Sequence, residues 1–292
     1  MRSFSEYNPI AVAVYFLMTA GIVMFCMNPI LLSLSLFGAV LFFLVKNGTK
    51  YGKTHFAYAC LFLAAALINP LVSHNGITVL FVLNDSPITA EAVCYGFASA
   101  GMILAVLYWF RSFTQIMTSD KLLYLFGKLS PKLALVLSMG LRYAPLFGEQ
   151  TKKINRTQTA LGLYKEDNII DRIKGGLRVF SVMVTWALEN GIVTADSMTA
   201  RGYGVGKRSH FSVFRFRKED IFLLFTIFLA GGATFCAAGV GALDFTFYPS
   251  FNMAAVTPTA VMGYIGYGVL ILIPTIMEAG EKLKWKYLES RI

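Results

Sequence analysis

Long uncharged apolar runs alternate with basic connections along this chain, and the side on which the basic residues fall limits what it can fold into. Six apolar segments stand out: residues 10–27, 30–45, 56–68, 89 to about 110, 221 to about 241, and about 260 to 277. A hydrocarbon layer about 30 Å thick takes roughly 20 helical residues. Crossing the layer six times places three connections on one side, and the termini with the other two connections on the opposite side. The connections around Asn28, over 71–87 and over 242–258 contain no Lys or Arg, so all 26 basic residues share the side of the termini. The positive-inside rule puts that side in the cytoplasm. The expected fold is an all-α, multi-pass cell-membrane protein with about six transmembrane helices and a cytoplasmic helical region.

Composition agrees with this topology. Charged residues make up 14% of the chain, against about 25% in a soluble domain. Mean hydropathy is +0.61. A net charge of +10 can signal nucleic acid, but the one-sided topology already accounts for it, so lipid is the expected partner and nucleic acid is not. A cleaved secretory signal is the competing reading of the first run. It lacks an A-x-A site followed by a polar mature segment. Three parts follow: 1–110 with four spans, 111–218 as a cytoplasmic region, and 219–292 with two spans and a basic tail carrying Lys282, Lys284, Lys286 and Arg291.

Within the first part, Asn28-Pro29 reads as a turn and Asn69-Pro70 as a break ending the third span. Residues 77–83 are too short to span, and read as a re-entrant or interfacial segment. Thr89 and Glu91 make an N-cap-like start to the fourth span. Ala98, Gly101 and Ala105 recur at helical spacing, so a neighbouring helix can come close there.

The middle part holds 18 basic and 7 acidic residues. Ser130-Pro131 starts a helix that reaches Leu161, with a kink expected at Pro145, and Gly162 ends it. A polar connection over 165–171 leads to a second helix from about Ile173. Leu177, Phe180, Val184 and Leu188 recur at three- and four-residue steps and predict one buried face. That helix ends at Ala200-Arg201-Gly202, and a basic run of Lys207, Arg208, Arg215, Arg217 and Lys218 follows.

Catalytic and cofactor chemistry is not visible. Cys26, Cys60, Cys94 and Cys236 are widely spaced, and read as packing residues. His55, His74 and His210 have no metal-ligand spacing, and no cofactor is expected. Gly202-x-Gly204-x-Gly206-Lys207 lacks the spacing of a phosphate loop. Glu166, Asp167 and Asp171 read as a solvated face. Nearly bare span interiors disfavour an ion-coupled carrier. A membrane-bound enzyme and a stand-alone permease remain as rivals to a non-catalytic membrane scaffold.

The two cytoplasmic helix ends are alike. Thr157-Gln-Thr-Ala-Leu-Gly-Leu163 and Ser197-Met-Thr-Ala-Arg-Gly-Tyr203 both place Ala-x-Gly at a helix terminus. Two similar ends suit a partner with two similar grooves, such as a dimer of homologous subunits. Coincidence of a common triplet is one competing reading, and a basic loop facing lipid headgroups is another.

At these residues the chain resembles the transmembrane T component of energy-coupling factor transporters, which carries two Ala-Arg-Gly signatures at the ends of cytoplasmic coupling helices. Ala200-Arg201-Gly202 matches the second signature. Ala160-Leu161-Gly162 matches the first in position and departs from it at Leu161. The stretch from Asn69-Pro70 through His74-x-Gly76-x-Thr78, and Thr89-x-Glu91-Ala92 after it, is similar to the segment before the family's fourth span. The resemblance implies two ATP-binding-cassette ATPases, one on each helix end, and a separate substrate-binding membrane subunit. The usual cargo of such systems is a vitamin or nickel and cobalt ions. It further implies that Arg201 meets acidic groups in an ATPase groove. The Leu161 contact would be apolar or would rely on neighbours such as Arg156, which hints at two different ATPases.

Overall fold

The computed structural model describes residues 3–73, 76–83, 86–163, 169–206 and 214–290. Lys165, Glu166, Asp167, Lys207, Arg208, His74, His210 and Arg291, named above, lie outside them. Among the described residues are nine α-helices. They are α1 (Pro9–Phe25), α2 (Pro29–Asn47), α3 (Gly52–Val72), α4 (Ala90–Ile116), α5 (Ser119–Leu129), α6 (Pro131–Ala160), α7 (Ile169–Ala200), α8 (Lys218–Gly239) and α9 (Pro258–Glu289). Two short antiparallel pairs accompany them: β1 (Val79–Leu83) with β2 (Ser86–Thr89), and β3 (Phe245–Thr246) with β4 (Asn252–Met253). The chain divides into one unit of Met1–Leu122 with Phe214–Ile292, and a second of Leu123–Val213.

Local sequence sets the helix starts. Asn8-Pro9 and Asn28-Pro29 each place a capping side chain before a proline at the first helical position. The Asn8 and Asn28 side-chain oxygens accept from the amides of Ile10 (3.0 Å) and Ile30 (2.9 Å). Thr89 and Thr257 do the same for α4 and α9, each accepting at 3.3 Å from the amide three residues on.

In the first unit, α2, α3, α4, α8 and α9 are long and apolar enough to cross a membrane, and α1 is an apolar helix of 17 residues. Five spans of full length plus one shorter apolar helix therefore stand where about six spans were expected. The outward surface is apolar: Leu17, Phe25, Phe37, Phe56 and Phe222 are all 65% exposed or more. A soluble protein rarely leaves so much apolar area uncovered, whereas hydrocarbon chains cover it readily. The chain is a multi-pass membrane protein.

Inside the unit lies an aromatic cluster. Phe4, Tyr15, Phe42 and Trp109 are almost wholly buried, with ring centroids 5.2–6.2 Å apart. Most of these rings meet edge to face, the arrangement their quadrupoles favour. The Trp109 indole N–H donates to Ser35 Oγ at 3.0 Å, which satisfies a polar group that burial would otherwise strand.

Three details depart from the sequence reading. First, α3 runs through Asn69-Pro70 to Val72. Pro70 cannot donate to the carbonyl of Ala66, four residues back. At that carbonyl α4 presents Gly96, where a Cβ would lie 2.6 Å from Ala66 O and 3.2 Å from Pro70 Cδ. A bare backbone thus closes over the helical turn that proline weakens. Second, this close approach belongs to Gly96, whereas a Cβ on Gly101 would meet nothing within 4 Å. Third, most of the 77–83 segment is strand. Val79 pairs with Thr89 and Phe81 with Ile88, with a bulge between Val79 and Phe81. Glu91 fastens the hairpin by accepting from Thr78 Oγ1 at 2.8 Å.

The second unit contains α6 and α7. Helix α6 starts at Pro131, as the Ser130-Pro131 pair predicts, and stays helical through Pro145. Helix α7 starts at Ile169, four residues earlier than read from the sequence. The two run antiparallel across their contact: Tyr143 Oη and Thr194 Oγ1 are hydrogen bonded at 2.8 Å, and the Phe147 and Trp186 rings meet at 5.7 Å. The face of α7 buried in this unit is not the expected one. Gly175 and Val179 are buried, while Leu177, Phe180, Val184 and Leu188 are 42–66% exposed. The periodicity is real, but a single long partner helix covers one narrow stripe of α7, and this stripe lies elsewhere.

Candidate functional site

The two helix ends close by the same hydrogen bonds. At the end of α6 the amide of Leu161 donates to Thr157 O (3.0 Å), Gly162 to Thr159 O (3.0 Å) and Leu163 to Gln158 O (3.2 Å). At the end of α7 the amide of Arg201 donates to Ser197 O (3.2 Å), Gly202 to Thr199 O (2.9 Å) and Tyr203 to Met198 O (3.0 Å). Both are Schellman closures, in which the residue after the cap turns left-handed and its neighbour reaches back to the last helical turn. Gly162 has φ +65° and Gly202 φ +76°, the region where glycine avoids a Cβ clash.

The likeness extends to side chains. Thr159 Oγ1 donates to Asn155 O at 3.0 Å, and Thr199 Oγ1 to Ala195 O at 2.9 Å. The shared unit is therefore Thr-Ala-x-Gly. Helix α8 closes by the same backbone pattern at Gly241, so the closure alone is a general helix stop. The pair on α6 and α7 is set apart by its threonines and by what it presents.

What the ends present differs at one position. Ala160, Leu161, Gly162, Ala200, Arg201 and Gly202 are all exposed, Leu161 at 69%. Arg201 sits on the last turn, where unsatisfied carbonyls favour a cation. Among the described residues no carboxylate pairs with its guanidinium. Arg156 is also exposed, five residues before Leu161. The structure thus makes two matched ends, one cationic and one apolar.

Two features of this region were not read from sequence. Arg178 Nη2 donates to Leu163 O at 3.2 Å and ties the first end to α7. No local pattern signals this contact, because it joins residues of two helices. A groove of about 870 Å³ lies between α6 and α7, lined by Phe147, Thr151, Asn155, Thr159, Arg172 and Val179 among others. It extends to Thr159, beside the first end.

Among the described residues no cluster of His, Cys, Asp or Glu could hold a metal ion. All four cysteines are free; Cys26 packs against the hydrophobic core, while Cys60, Cys94 and Cys236 are exposed. His55 Nδ1 lies 2.7 Å from Tyr108 Oη in a structural hydrogen bond.

Comparison with known proteins follows the same line. Residues 2–212 match the family described as CbiQ, cobalt transport protein. Three similar proteins each carry the name energy-coupling factor transporter transmembrane protein EcfT. The one from Listeria innocua is 34% identical over 106 residues, 36% of this chain and 40% of that protein. The one from Lacticaseibacillus paracasei is 32% identical over 91 residues, 30% of this chain and 34% of that protein. The one from Streptococcus equi is 25% identical over 107 residues, 36% of this chain and 40% of that protein. The chain thus matches about two fifths or less of the length of these relatives. The family match covers well over half of the chain, and the chain belongs to this family, as a transmembrane T component of energy-coupling factor transporters.

Proposed function

We propose that this chain is the non-catalytic energy-coupling subunit of an ATP-driven importer. Two cytoplasmic ATP-binding-cassette ATPases each grip one helix end, at Ala160-Leu161-Gly162 and at Ala200-Arg201-Gly202. Their closure on ATP moves α6 and α7, and that motion reorients a separate substrate-binding membrane subunit. The cargo class is a vitamin or nickel and cobalt ions. Both termini and the α6–α7 region face the cytoplasm, following the one-sided placement of basic residues.

The observation that carries this reading is the matched pair of exposed closures on α6 and α7. They lie on opposite sides of the Phe147–Trp186 contact. Arg201 offers a planar, permanently charged fork suited to carboxylates in an ATPase groove. Leu161 offers its groove an apolar contact, with Arg156 five residues away. The exposed apolar stripe of Leu177, Phe180, Val184 and Leu188 suits contact with a membrane-embedded partner.

The test is affinity capture from gently solubilised membranes. Wild-type protein should bring down two ATPases and a small membrane protein. Arg201→Glu should lose the ATPases while still inserting in the membrane. A desolvated charge contact is worth about 2–5 kcal/mol when one partner is removed, against ~0–1 kcal/mol for an exposed pair. Undiminished capture of the ATPases by Arg201→Glu would sink the role given to Arg201.

A further inference from the structure

The N-terminal residues do work that the coupling ends do not explain. Residues 3–8 form a short strap: a 3-10 turn at Phe4–Glu6, followed by Tyr7 and Asn8. Phe4 is fully buried among Tyr15, Phe16 and Phe42, which anchors the strap in the aromatic core. Ser3 Oγ donates to Glu278 Oε2 at 3.2 Å, which ties the strap to α9.

The strap also holds two more distant points of the chain. The ammonium of Lys121, in the first turn of α5, donates to the carbonyls of Ser5 and Ile116. At the other end of the strap, the Asn8 amide donates to Asp220 Oδ1 at 2.9 Å, while Asp220 Oδ2 accepts from the Arg217 amide at 2.9 Å. Lys121 and Asp220 are 9% and 4% exposed. Buried charged groups persist where hydrogen bonds replace their water, and here those partners are backbone groups of the strap and the adjoining turns.

These two positions flank the inserted unit. The chain leaves the membrane unit after Leu122 and returns to it at Phe214. Lys121 stands just before the departure and Asp220 just after the return, 99 residues apart in sequence but fastened to one six-residue strap.

We propose that the strap of residues 3–8 is the fixed base of the coupling region, with Lys121 and Asp220 as positioning residues at its two roots. This rests on the coupling function proposed above. If both roots could flex, displacement of the helix ends would be absorbed at residues 117–123 and 214–221. With both roots tied to the strap, and the strap anchored by Phe4 and Ser3, displacement is delivered to the packed helices of the membrane unit. Arg201 and Leu161 receive the force, and the strap gives it a footing.

The test uses the full chain in lipid nanodiscs, with backbone amide exchange read along the sequence. Lys121→Met removes the ammonium and keeps the apolar stem. Asp220→Asn keeps the shape and leaves one acceptor oxygen for two amide donors. Each variant should speed exchange at its own root, at strap residues 5–8, and at the opposite root, by about tenfold. Lys121→Arg, which keeps a cationic donor, should stay near wild type. Changes confined to the mutated root in both variants would overturn the proposal. If one variant does not fold, the other still carries the test, because each reports on the distant root.

A second readout separates this idea from the coupling function itself. In complexes captured with their ATPases, ATP should alter exchange in α8 and α9 of wild type, and this response should be lost in the variants while ATPase capture is kept. An unchanged ATP response in both variants would overturn the strap's role in transmission. Absence of ATPases from the wild-type capture would instead refute the coupling function, and would leave the exchange result on the isolated chain standing.

Discussion

Replacing Gly202 by alanine tests whether the end of α7 is held by its left-handed turn. Gly202 has φ +76°, and a Cβ built there meets no atom within 4 Å. The penalty is therefore conformational, with no packing clash added. An L-residue in this region costs about 1–2 kcal/mol. Alanine also restricts the opened chain, which offsets about 0.4–1 kcal/mol. The net is about 1 kcal/mol, or roughly fivefold in the opening equilibrium of the last turn. Exchange of the Tyr203 amide, bonded to Met198 O, should quicken by about that factor. Gly162→Ala should do the same at Leu163, because its φ and hydrogen bonds match. Gly191→Ala, in the interior of α7 with nothing within 4 Å, should act oppositely, since alanine is favoured over glycine in a helix by about 1 kcal/mol. Equal effects at Gly202 and Gly191, or a much larger effect at one of the two helix ends than at the other, would refute the reasoning.

Two further outcomes follow from contacts in the structure. A Cβ on Gly38 would lie 1.7 Å from Cγ2 of the buried, β-branched Ile271, so Gly38→Ala should lower stability by about 1–3 kcal/mol as an overpacked core. Ile271→Ala should relieve part of that loss when combined with it, and strictly additive thermal shifts in nanodiscs would contradict the α2–α9 contact. Arg178→Met should speed amide exchange at 161–163 and leave 201–203 unchanged, because among the described residues Arg178 bonds the first end alone, at Leu163 O. Equal change at both ends would show that it acts through α7 as a whole.

Features set within a few residues were legible in the sequence. The starts of α1, α2, α6 and α9 follow from Asn-Pro, Ser-Pro and Thr-Pro pairs, and the ends of α6 and α7 from Gly162 and Gly202. Features that depend on which element lies alongside were not. Pro70 signals a break, but α3 continues past it with Gly96 of α4 packed against the Ala66 carbonyl. Leu177, Phe180, Val184 and Leu188 show helical period correctly, yet period cannot say whether a stripe is covered by the same chain or left exposed. At the candidate site, the shared Thr-Ala-x-Gly was present in the sequence, whereas its matched closure lies in backbone hydrogen bonds that residue types alone do not fix. Arg178, Lys121 and Asp220 act on residues 15, 116 and 212 positions away, beyond any local pattern.

The antiparallel contact of α6 and α7 gives the region an approximate symmetry. Leu161 lies 14 residues past Phe147, and Arg201 lies 15 past Trp186, so each closure stands about 20 Å from the shared ring contact at 1.5 Å per residue. Turning the pair by half a revolution about that contact exchanges one closure for the other. A partner built from two related halves meets such a pair with its axes aligned, and both halves press at equal leverage. One side chain breaks the equivalence, arginine on one arm and leucine on the other. Under the proposed function that difference would work as a key, since two unlike halves would fit the pair in one orientation and be mismatched in the other.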